Sequence, residues 1–97
     1  MKDTGKIVTI NGEGLKLFRS TYNNNGRVAL ELYDDEGPYA TASVNVDDDI
    51  PEDHIAIKNY SENEGVLDAL VAAGVVERPS FFVESGWVQI PVCKLLI

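Results

Sequence analysis

Acidic side chains are the residues of this sequence that could most readily bind something, and eight of its sixteen carboxylates fall in two short runs. The longer run, Asp47-Asp-Asp-Ile-Pro-Glu-Asp53, is followed directly by His54. Calcium and similar hard cations take six to eight oxygen ligands, which several carboxylates in one loop can supply. The spacing lacks the alternating ligands and central glycine of an EF-hand loop. One hypothesis is a small-ligand or divalent-cation site of another kind, with candidate ligands Asp47, Asp49, Glu52 and Asp53.

The shorter run, Asp34-Asp35-Glu36, lies at the tip of a predicted hairpin. Lysine and arginine side chains that bind nucleic-acid phosphates can also bind carboxylates, so a row of acids can imitate a nucleic acid in the basic groove of another protein. Plain solvated surface is the other interpretation of both runs. The carboxylates considered for an interaction with a protein are Asp34, Asp35, Glu36, Asp47, Asp48 and Asp49.

The overall charge limits the class of partner. Sixteen acidic residues against eight basic ones give a formal net charge of −8. This charge disfavours direct binding to a phosphate backbone or to an anionic membrane. It suits a cationic partner or metal ions. We therefore expect the partner to be another protein.

The sequence offers few groups for catalysis. His54 is the only histidine and Cys93 the only thiol, and a Cys–His pair would need to be adjacent in space with a third group to orient it. The apolar neighbours of Cys93 favour a buried structural cysteine. There is no Gly-rich phosphate loop, no Cys or His metal spacing and no nucleophile elbow. These observations predict a non-enzymatic protein without a cofactor.

Length and composition predict one domain over residues 1–97, with residues 1–5 disordered. The single cysteine excludes an intramolecular disulfide and favours a reducing compartment. The N-terminal residues contain no apolar run long enough for a signal peptide, and no segment approaches the roughly 20 apolar residues of a membrane span. We therefore expect a cytoplasmic location.

Alternation of apolar and polar residues predicts that most of the chain is β-strand. An Asn-Gly pair at Asn25-Gly26 favours a tight hairpin between the second and third runs. Clean alternation on both sides of Asp34–Pro38 predicts that the third and fourth runs also pair as a hairpin. Pro91 cannot donate to a ladder, so the last strand is expected at a sheet edge or bulged there. The predicted strands cover residues 6–10, 15–21, 27–33, 39–46, 54–58, 81–84 and 87–96.

One helix is predicted, at about residues 62–73. Ser61 and Glu64 have the spacing of a capping box at its start. Gly74 suits a left-handed residue at its end, with Val75 folding back on Leu70 in a Schellman motif. The face that carries Gly65, Ala69 and Ala72 has no charge, which is typical of a helix enclosed by its own domain. Docking of a partner on that face is the alternative.

These elements predict an α+β fold. A helix of about twelve residues spans only about 18 Å, which is too short to cover a flat sheet of six or seven strands. The antiparallel sheet is therefore expected either to curl around one central helix as a strongly twisted half-barrel or to split in two.

Five short segments between about residue 28 and residue 94 carry a family resemblance. They are Gly37-Pro-Tyr-Ala-Thr41, Ile57-Lys-Asn-Tyr-Ser-Glu-Asn-Glu-Gly65, Leu70-Val-Ala-Ala-Gly-Val-Val-Glu77, Ser85-Gly86 and Pro91-Val-Cys93. With these segments the chain resembles a family of small bacterial proteins of unknown function that are common in phages and in conjugative or integrated elements. The resemblance implies an accessory role in a mobile element or in its contact with the host, and it assigns no catalytic or binding residue.

Charge, missing catalytic groups and the resemblance together predict a non-enzymatic protein-interaction module of a mobile element. Two alternatives stay open. One is small-ligand or cation binding through residues 47–54. The other is an inhibitor that imitates nucleic acid on a host protein.

Overall fold

A computed structural model describes all 97 residues as two antiparallel sheets and one short helix. The first sheet has the strand order β1-β2-β3-β4 and the second has the order β5-β7-β6. No helix is long and apolar enough to cross a membrane. The elements are β1 (Lys2–Ile10), β2 (Glu13–Thr21), β3 (Val28–Asp34), β4 (Gly37–Thr41), β5 (His54–Ala56), a 3-10 turn (Ser61–Asn63), α1 (Val66–Ala72), β6 (Val76–Ser85) and β7 (Val88–Leu95).

The first sheet is a meander. Strands β2 and β3 pair as predicted, but residues 22–27 connect them as a longer loop and not as a tight Asn25-Gly26 turn. Asn11 and Gly12 join β1 to β2 with φ angles of 52° and 78°, the left-handed geometry that an Asn-Gly hairpin favours. The predicted hairpin between the third and fourth strands is confirmed by the pairing of Glu31 with Thr41 and of Leu32 with Ala40. Strand β1 begins at Lys2, so it extends into the segment 1–5 for which we expected disorder.

The fourth strand ends earlier than predicted because the chain changes sheets after Thr41. The N–H of Ala42 donates to Leu30 O in the first sheet at 2.8 Å, while the carbonyl of Ala42 accepts from Lys58 N at 2.9 Å. Ser43 then forms an isolated bridge with Ile57. The alternation of residues 39–46 is therefore divided between two sheets, and only residues up to Thr41 belong to β4.

The Ser43 side chain compensates for this change of sheet. Because the carbonyl of Ala42 is used by Lys58, the N–H of Leu30 has no backbone acceptor and donates to Ser43 Oγ instead, at 3.0 Å. The hydroxyl of Tyr22 also shares a hydrogen bond with Ser43 Oγ at 2.8 Å. Ser43 is only 2% exposed, so these bonds satisfy polar groups that water cannot reach.

Pro91 lies in the central strand of the second sheet, so the prediction of an edge strand is wrong. Strand β7 pairs with β5 on one side and β6 on the other. The β5–β7 ladder ends at the pair Ala56–Val92, and Pro91 is one residue further. The carbonyl of Pro91 accepts from Ile57 N at 2.9 Å, so it points toward β5. In a strand, the N–H and C=O groups of one residue point to the same side. The missing N–H therefore faces the end of β5, where the ladder stops.

Two apolar clusters hold the elements together. The larger is buried among the first sheet, α1 and one face of the second sheet, and includes Leu17, Leu32, Leu70 and Cys93. The smaller lies on the other face of the second sheet. It consists of Val46, Ala56, Val83, Ile90 and Val92, with Val44, Ile50 and Tyr60 packed against it. The segment after Ser43 thus covers the second sheet.

The helix is shorter than predicted and begins differently. Residues 61–63 form a separate 3-10 turn with Ser61 at φ 57°, and Gly65 reverses the chain at φ 95° before α1 starts. No capping-box bond is present. Instead Asn59 Oδ1 accepts from the N–H groups of Gly65 and Leu67, at 3.1 and 2.9 Å. The predicted capping box at Ser61 and Glu64 is therefore wrong, because the intervening turn breaks the helical run.

The predicted end of the helix is confirmed. Gly74 has a φ of 73°, and its N–H donates to Val71 O at 3.1 Å. The N–H of Val75 donates to Leu70 O at 3.0 Å, and both Val75 and Leu70 are fully buried. These two bonds and the apolar contact are those of a Schellman motif.

The α+β class agrees with the structure, but the predicted central helix does not. Helix α1 has seven residues and packs against β1 and β6. At about 1.5 Å per residue it is roughly 10 Å long, too short to serve as the axis of a curled sheet. The strands accordingly form two sheets, the alternative that the sequence left open. Gly65 and Ala72 are exposed, so the helix is not enclosed on every side.

We expect Ser43→Ala to destabilise the protein by about 1–3 kcal/mol, since it leaves the buried N–H of Leu30 without an acceptor. The free energy of unfolding in urea measures this change. Tyr22→Phe is the matched control, because it removes only the second of the two bonds to Ser43. A loss for Ser43→Ala no larger than that for Tyr22→Phe would contradict the proposed role of the hydroxyl.

We expect Asn59→Ala to lower the free energy of unfolding by about 1 kcal/mol, since the helix loses its only side-chain cap. Ser61→Ala tests the capping box that the sequence suggests, and we expect it to cost less than about 0.5 kcal/mol. The reverse order of the two effects would show that the helix begins at Ser61 after all.

Candidate functional site

The two acidic runs lie at opposite ends of strand β3. Asp34 is the last residue of β3, and Asp35 and Glu36 form the following turn. The start of β3 is next to Arg27, which holds the segment 46–48. Six strand residues separate the two ends, or roughly 20 Å. The structure therefore does not bring the six carboxylates proposed for protein interaction into one cluster.

Arg27 fixes the acidic loop through backbone atoms. Its Nη1 donates to Val46 O and its Nη2 to Asp48 O, both at 2.7 Å. The carboxylates of Asp47, Asp48 and Asp49 are in exposed residues and make no ion pair. The negative charge of this loop is therefore free to interact with solvent or with a partner.

The four proposed cation ligands do not form a joint site. No three histidine, cysteine, aspartate or glutamate side chains lie close enough together to hold a metal ion. The Asp53 carboxylate is occupied by His54. Glu52 instead lines a surface cleft of about 410 Å³ between the β2–β3 turn and the segment 50–54, together with Asn25, Arg27 and His54.

His54 is the centre of the most organised polar cluster. Its Nδ1 lies 2.8 Å from Asp53 Oδ1, and its Nε2 lies 3.0 Å from Ser80 Oγ. The imidazole also stacks on Phe81, with ring centroids 6.1 Å apart and the planes inclined by 28°. The side chain is only 13% exposed, so these contacts fix its orientation.

The protonation of this chain of groups follows from Asp53. The hydrogen bond from His54 lowers the pKa of the Asp53 carboxyl, which is therefore ionised at neutral pH and can only accept. In the neutral imidazole the proton must then reside on Nδ1, and Nε2 is an acceptor. In that neutral form the hydroxyl of Ser80 donates to Nε2. Asp53, His54 and Ser80 thus have the bonding order of a serine–histidine–aspartate triad.

A bulge in β6 brings Ser80 to His54. The register of β6 against β7 shifts between Pro79, which pairs with Cys93, and Phe81, which pairs with Val92. In a regular strand Ser80 and Phe81 would point to opposite faces. The extra residue lets both consecutive side chains contact one imidazole.

Cys93 does not take part in this cluster. It is fully buried, and burial raises the pKa of its thiol to about 11, so it stays protonated at neutral pH. It lies in the larger apolar cluster, in agreement with the predicted structural role. A Cys–His pair is not formed, and the partner of His54 is a serine. Sequence reasoning missed Ser80 because 26 positions separate the two residues and only the fold brings them together.

A second feature is the hairpin of β6 and β7, which we call the aromatic hairpin (residues 81–91). Trp87 at its tip is completely exposed, with a relative accessibility of 104%, and Phe82 is 55% exposed. Phe81 is 37% exposed beside His54. Glu84 is the only charged residue between Pro79 and Cys93. Exposed apolar groups concentrated in this way are typical of interaction surfaces.

The same hairpin contains a regular stretch of free sheet edge. Strand β6 is at the edge of the second sheet, and from Phe81 to Ser85 its register with β7 is regular. Natural edges are usually blocked by lysine, proline, bulges or short length. Strand β1 has Lys2, Lys6 and a register shift, β4 has Pro38, and β5 has only three residues. Strand β6 has Pro79 and two register shifts, but these lie before Phe81, and residues 81–85 have none of these features.

We expect His54→Gln to raise the pKa of Asp53 toward its ordinary value of 3.8, because the hydrogen bond that stabilises the carboxylate is lost. Carboxyl carbon shifts in an NMR titration measure this. Since the folded pKa is lowered, the bond stabilises the fold above the unfolded pKa, and this stability is lost as pH falls through the folded value.

Glu62 provides the control for that titration. Its pKa is lowered to about 2, first by a hydrogen bond from Lys58, so it should not respond to His54→Gln. An unchanged Asp53 titration in the variant would exclude the hydrogen bond between Asp53 and His54.

Comparison with protein-family models, with curated proteins and with solved structures finds no match to this chain. The resemblance to small proteins of phages and conjugative elements therefore stays a prediction. A function for the chain has to be argued from the geometry of the His54 cluster and of the aromatic hairpin.

Proposed function

We propose that the protein is a binding module that takes an extended, basic segment of another protein along the free edge of β6. The observation that carries this proposal is the regular, unprotected edge at residues 81–85 next to the exposed side chains of Phe82 and Trp87. Extended peptides bind such edges by adding a strand, with backbone hydrogen bonds providing affinity and alternate side chains providing specificity.

The exposed aromatic rings suit a basic peptide. Trp is the best aromatic partner for a lysine or arginine cation, and Trp87 presents its whole surface to solvent. Phe82 and Glu84 are two residues apart on one strand and share a face, so an apolar contact and a carboxylate are available side by side. A segment that alternates basic and apolar side chains would meet both.

Charge favours a partner over a second copy of the chain. Each copy has a formal net charge of −8, so two copies repel one another and pairing of two β6 edges is disfavoured. Ion pairs with lysine or arginine neutralise only two of the sixteen carboxylates, those of Glu62 and Asp68. The remaining field attracts a cationic segment from a distance and speeds its association.

The biological setting in this proposal comes from the resemblance described above. It is an accessory role in a mobile element, in the cytoplasm, with a host or element protein as the partner. Catalysis has no part in this role. Cation binding and imitation of nucleic acid are disfavoured, because the acidic runs lie apart and hold no joint ligand set.

We expect a ten-residue peptide of alternating arginine and valine to bind and to shift the emission of Trp87, the only tryptophan, toward the blue. Phe82→Ser should weaken the binding at least about tenfold, as expected for a central aromatic contact. Fluorescence titration at low and high salt measures the affinity and its charge dependence.

Two controls separate edge pairing from general charge attraction. Ile7→Ser is the matched variant, because Ile7 is also 55% exposed but lies on the first sheet. A peptide with two prolines in place of valines keeps the charge but cannot complete a strand. Equal binding of the proline peptide, equal losses for Phe82→Ser and Ile7→Ser, or a dimer in sedimentation would each contradict the proposal.

A further inference from the structure

We propose that Ser80, His54 and Asp53 form a nucleophilic site that accepts acyl groups from small activated esters or thioesters. This inference goes beyond the proposed binding function and concerns another face of the second sheet. It rests on the distances of 3.0 Å from Ser80 Oγ to His54 Nε2 and of 2.8 Å from His54 Nδ1 to Asp53 Oδ1. A serine hydroxyl is a weak nucleophile unless an adjacent base takes its proton.

The roles of the three groups follow from their hydrogen bonds. Ser80 is the nucleophile, and His54 is the general base that receives the proton of its hydroxyl at Nε2. Asp53 is a positioning residue, because its carboxylate accepts from Nδ1–H and so keeps Nε2 free of a proton. Phe81 holds the imidazole from the side through ring stacking.

The site is accessible on the serine side. Ser80 is exposed, while the imidazole of His54 is largely covered. His54 also borders the cleft of about 410 Å³ that Asn25, Arg27 and Glu52 line. A small ester therefore reaches the exposed hydroxyl of Ser80 without any movement of the sheet.

Apart from the ester or thioester, water is the only reactant that the reaction needs. Ser80 Oγ forms a bond to the carbonyl carbon, and its proton passes to His54 Nε2. The bond from carbonyl carbon to leaving oxygen or sulfur breaks, and the leaving group takes the electron pair and then the proton from His54. Water attacks the acyl-serine with His54 as base, which releases the acid and restores the hydroxyl of Ser80.

The bulge is the feature of the fold that points to this site. Ser80 is the extra residue of β6, and without the register shift its hydroxyl would leave the face of His54. Bulges occur frequently where a strand re-aims a side chain beside a reactive site. The hydrogen bond between His54 and Ser80 also links β5 to β6 across β7. A purely structural role for this bond is the alternative that the experiment must exclude.

The test is labelling with an alkyl fluorophosphonate, followed by mass spectrometry. Ser80 Oγ attacks phosphorus, fluoride leaves with its electron pair, and the proton passes to His54. We expect one adduct, on Ser80, that is absent in Ser80→Ala. His54→Gln should slow labelling at least about 100-fold, the contribution typical of a general base. Ser85→Ala, an exposed serine on the same strand, should change nothing.

Asp53→Asn tests the positioning role at a residue whose side chain is 59% exposed. The side-chain amide that replaces the Asp53 carboxylate in this variant can favour the other imidazole tautomer of His54, with the proton on Nε2. The rate of labelling at Ser80 should then fall, and the imidazole nitrogen shifts should show the proton on Nε2. The wild-type protein should also release a burst of one nitrophenolate from p-nitrophenyl acetate.

Adducts spread over several serines, or a labelling rate at Ser80 unaffected by His54→Gln and Asp53→Asn, would overturn the proposal. If His54→Gln fails to fold by circular dichroism, the rate and the nitrogen shifts of Asp53→Asn decide alone. Loss of labelling leaves the peptide-binding proposal intact, since Phe82 and Trp87 take no part in it.

Discussion

The hydroxyl of Ser43 is the contact on which the arrangement of the two sheets depends. At Ala42 the chain gives its N–H to the first sheet and its carbonyl to the second, which leaves the N–H of Leu30 without a backbone acceptor. Ser43 Oγ supplies that acceptor in a position shielded from water. Strands that pass from one sheet to another must meet this requirement at each crossing.

The crossing also places the groups that we consider functional. Val44 N donates to Ala56 O at 3.0 Å, which fixes β5 beside the crossing segment. The register of β5 on β7 then pairs His54 with Lys94, on the face where Ser80 and Phe81 reach the imidazole. The following residues cover the smaller apolar cluster with Val46 and Ile50. The site on the second sheet is therefore a consequence of the junction.

The sequence predicted local features well and long-range ones poorly. The hairpin of β3 and β4 and the Schellman ending at Gly74 depend on residues close together in the chain, and both were recognised. The prediction of an edge position for Pro91 is wrong. A proline in a strand shows that one N–H donor is missing, but it does not show whether the neighbouring strand on that side has already ended. The helix start was misplaced, since the Ser61–Glu64 spacing fits a capping box but the backbone turns at Ser61 and Gly65.

The candidate site shows the same division. Asp53 and His54 are adjacent, but the sequence suggests Asp53 as a cation ligand and His54 as a catalytic group only with Cys93. Their bonding to Ser80 depends on the order β5-β7-β6 and on a bulge, neither of which has a sequence signature in a single chain. The free edge at residues 81–85 of β6 can be recognised only when the order of the strands in both sheets is known. Acidic composition indicated the kind of partner but not the surface.

The central claim is that interaction takes place on the second sheet, at the free edge of β6, and not at the acidic runs. The most direct measurement is a map of backbone amide shifts in the protein as the arginine–valine peptide is added. We expect the largest shifts within residues 81–91, and we expect amides of residues 81–85 to gain protection from hydrogen exchange. Largest shifts at residues 34–36 or 47–49, with no added protection in β6, would contradict it.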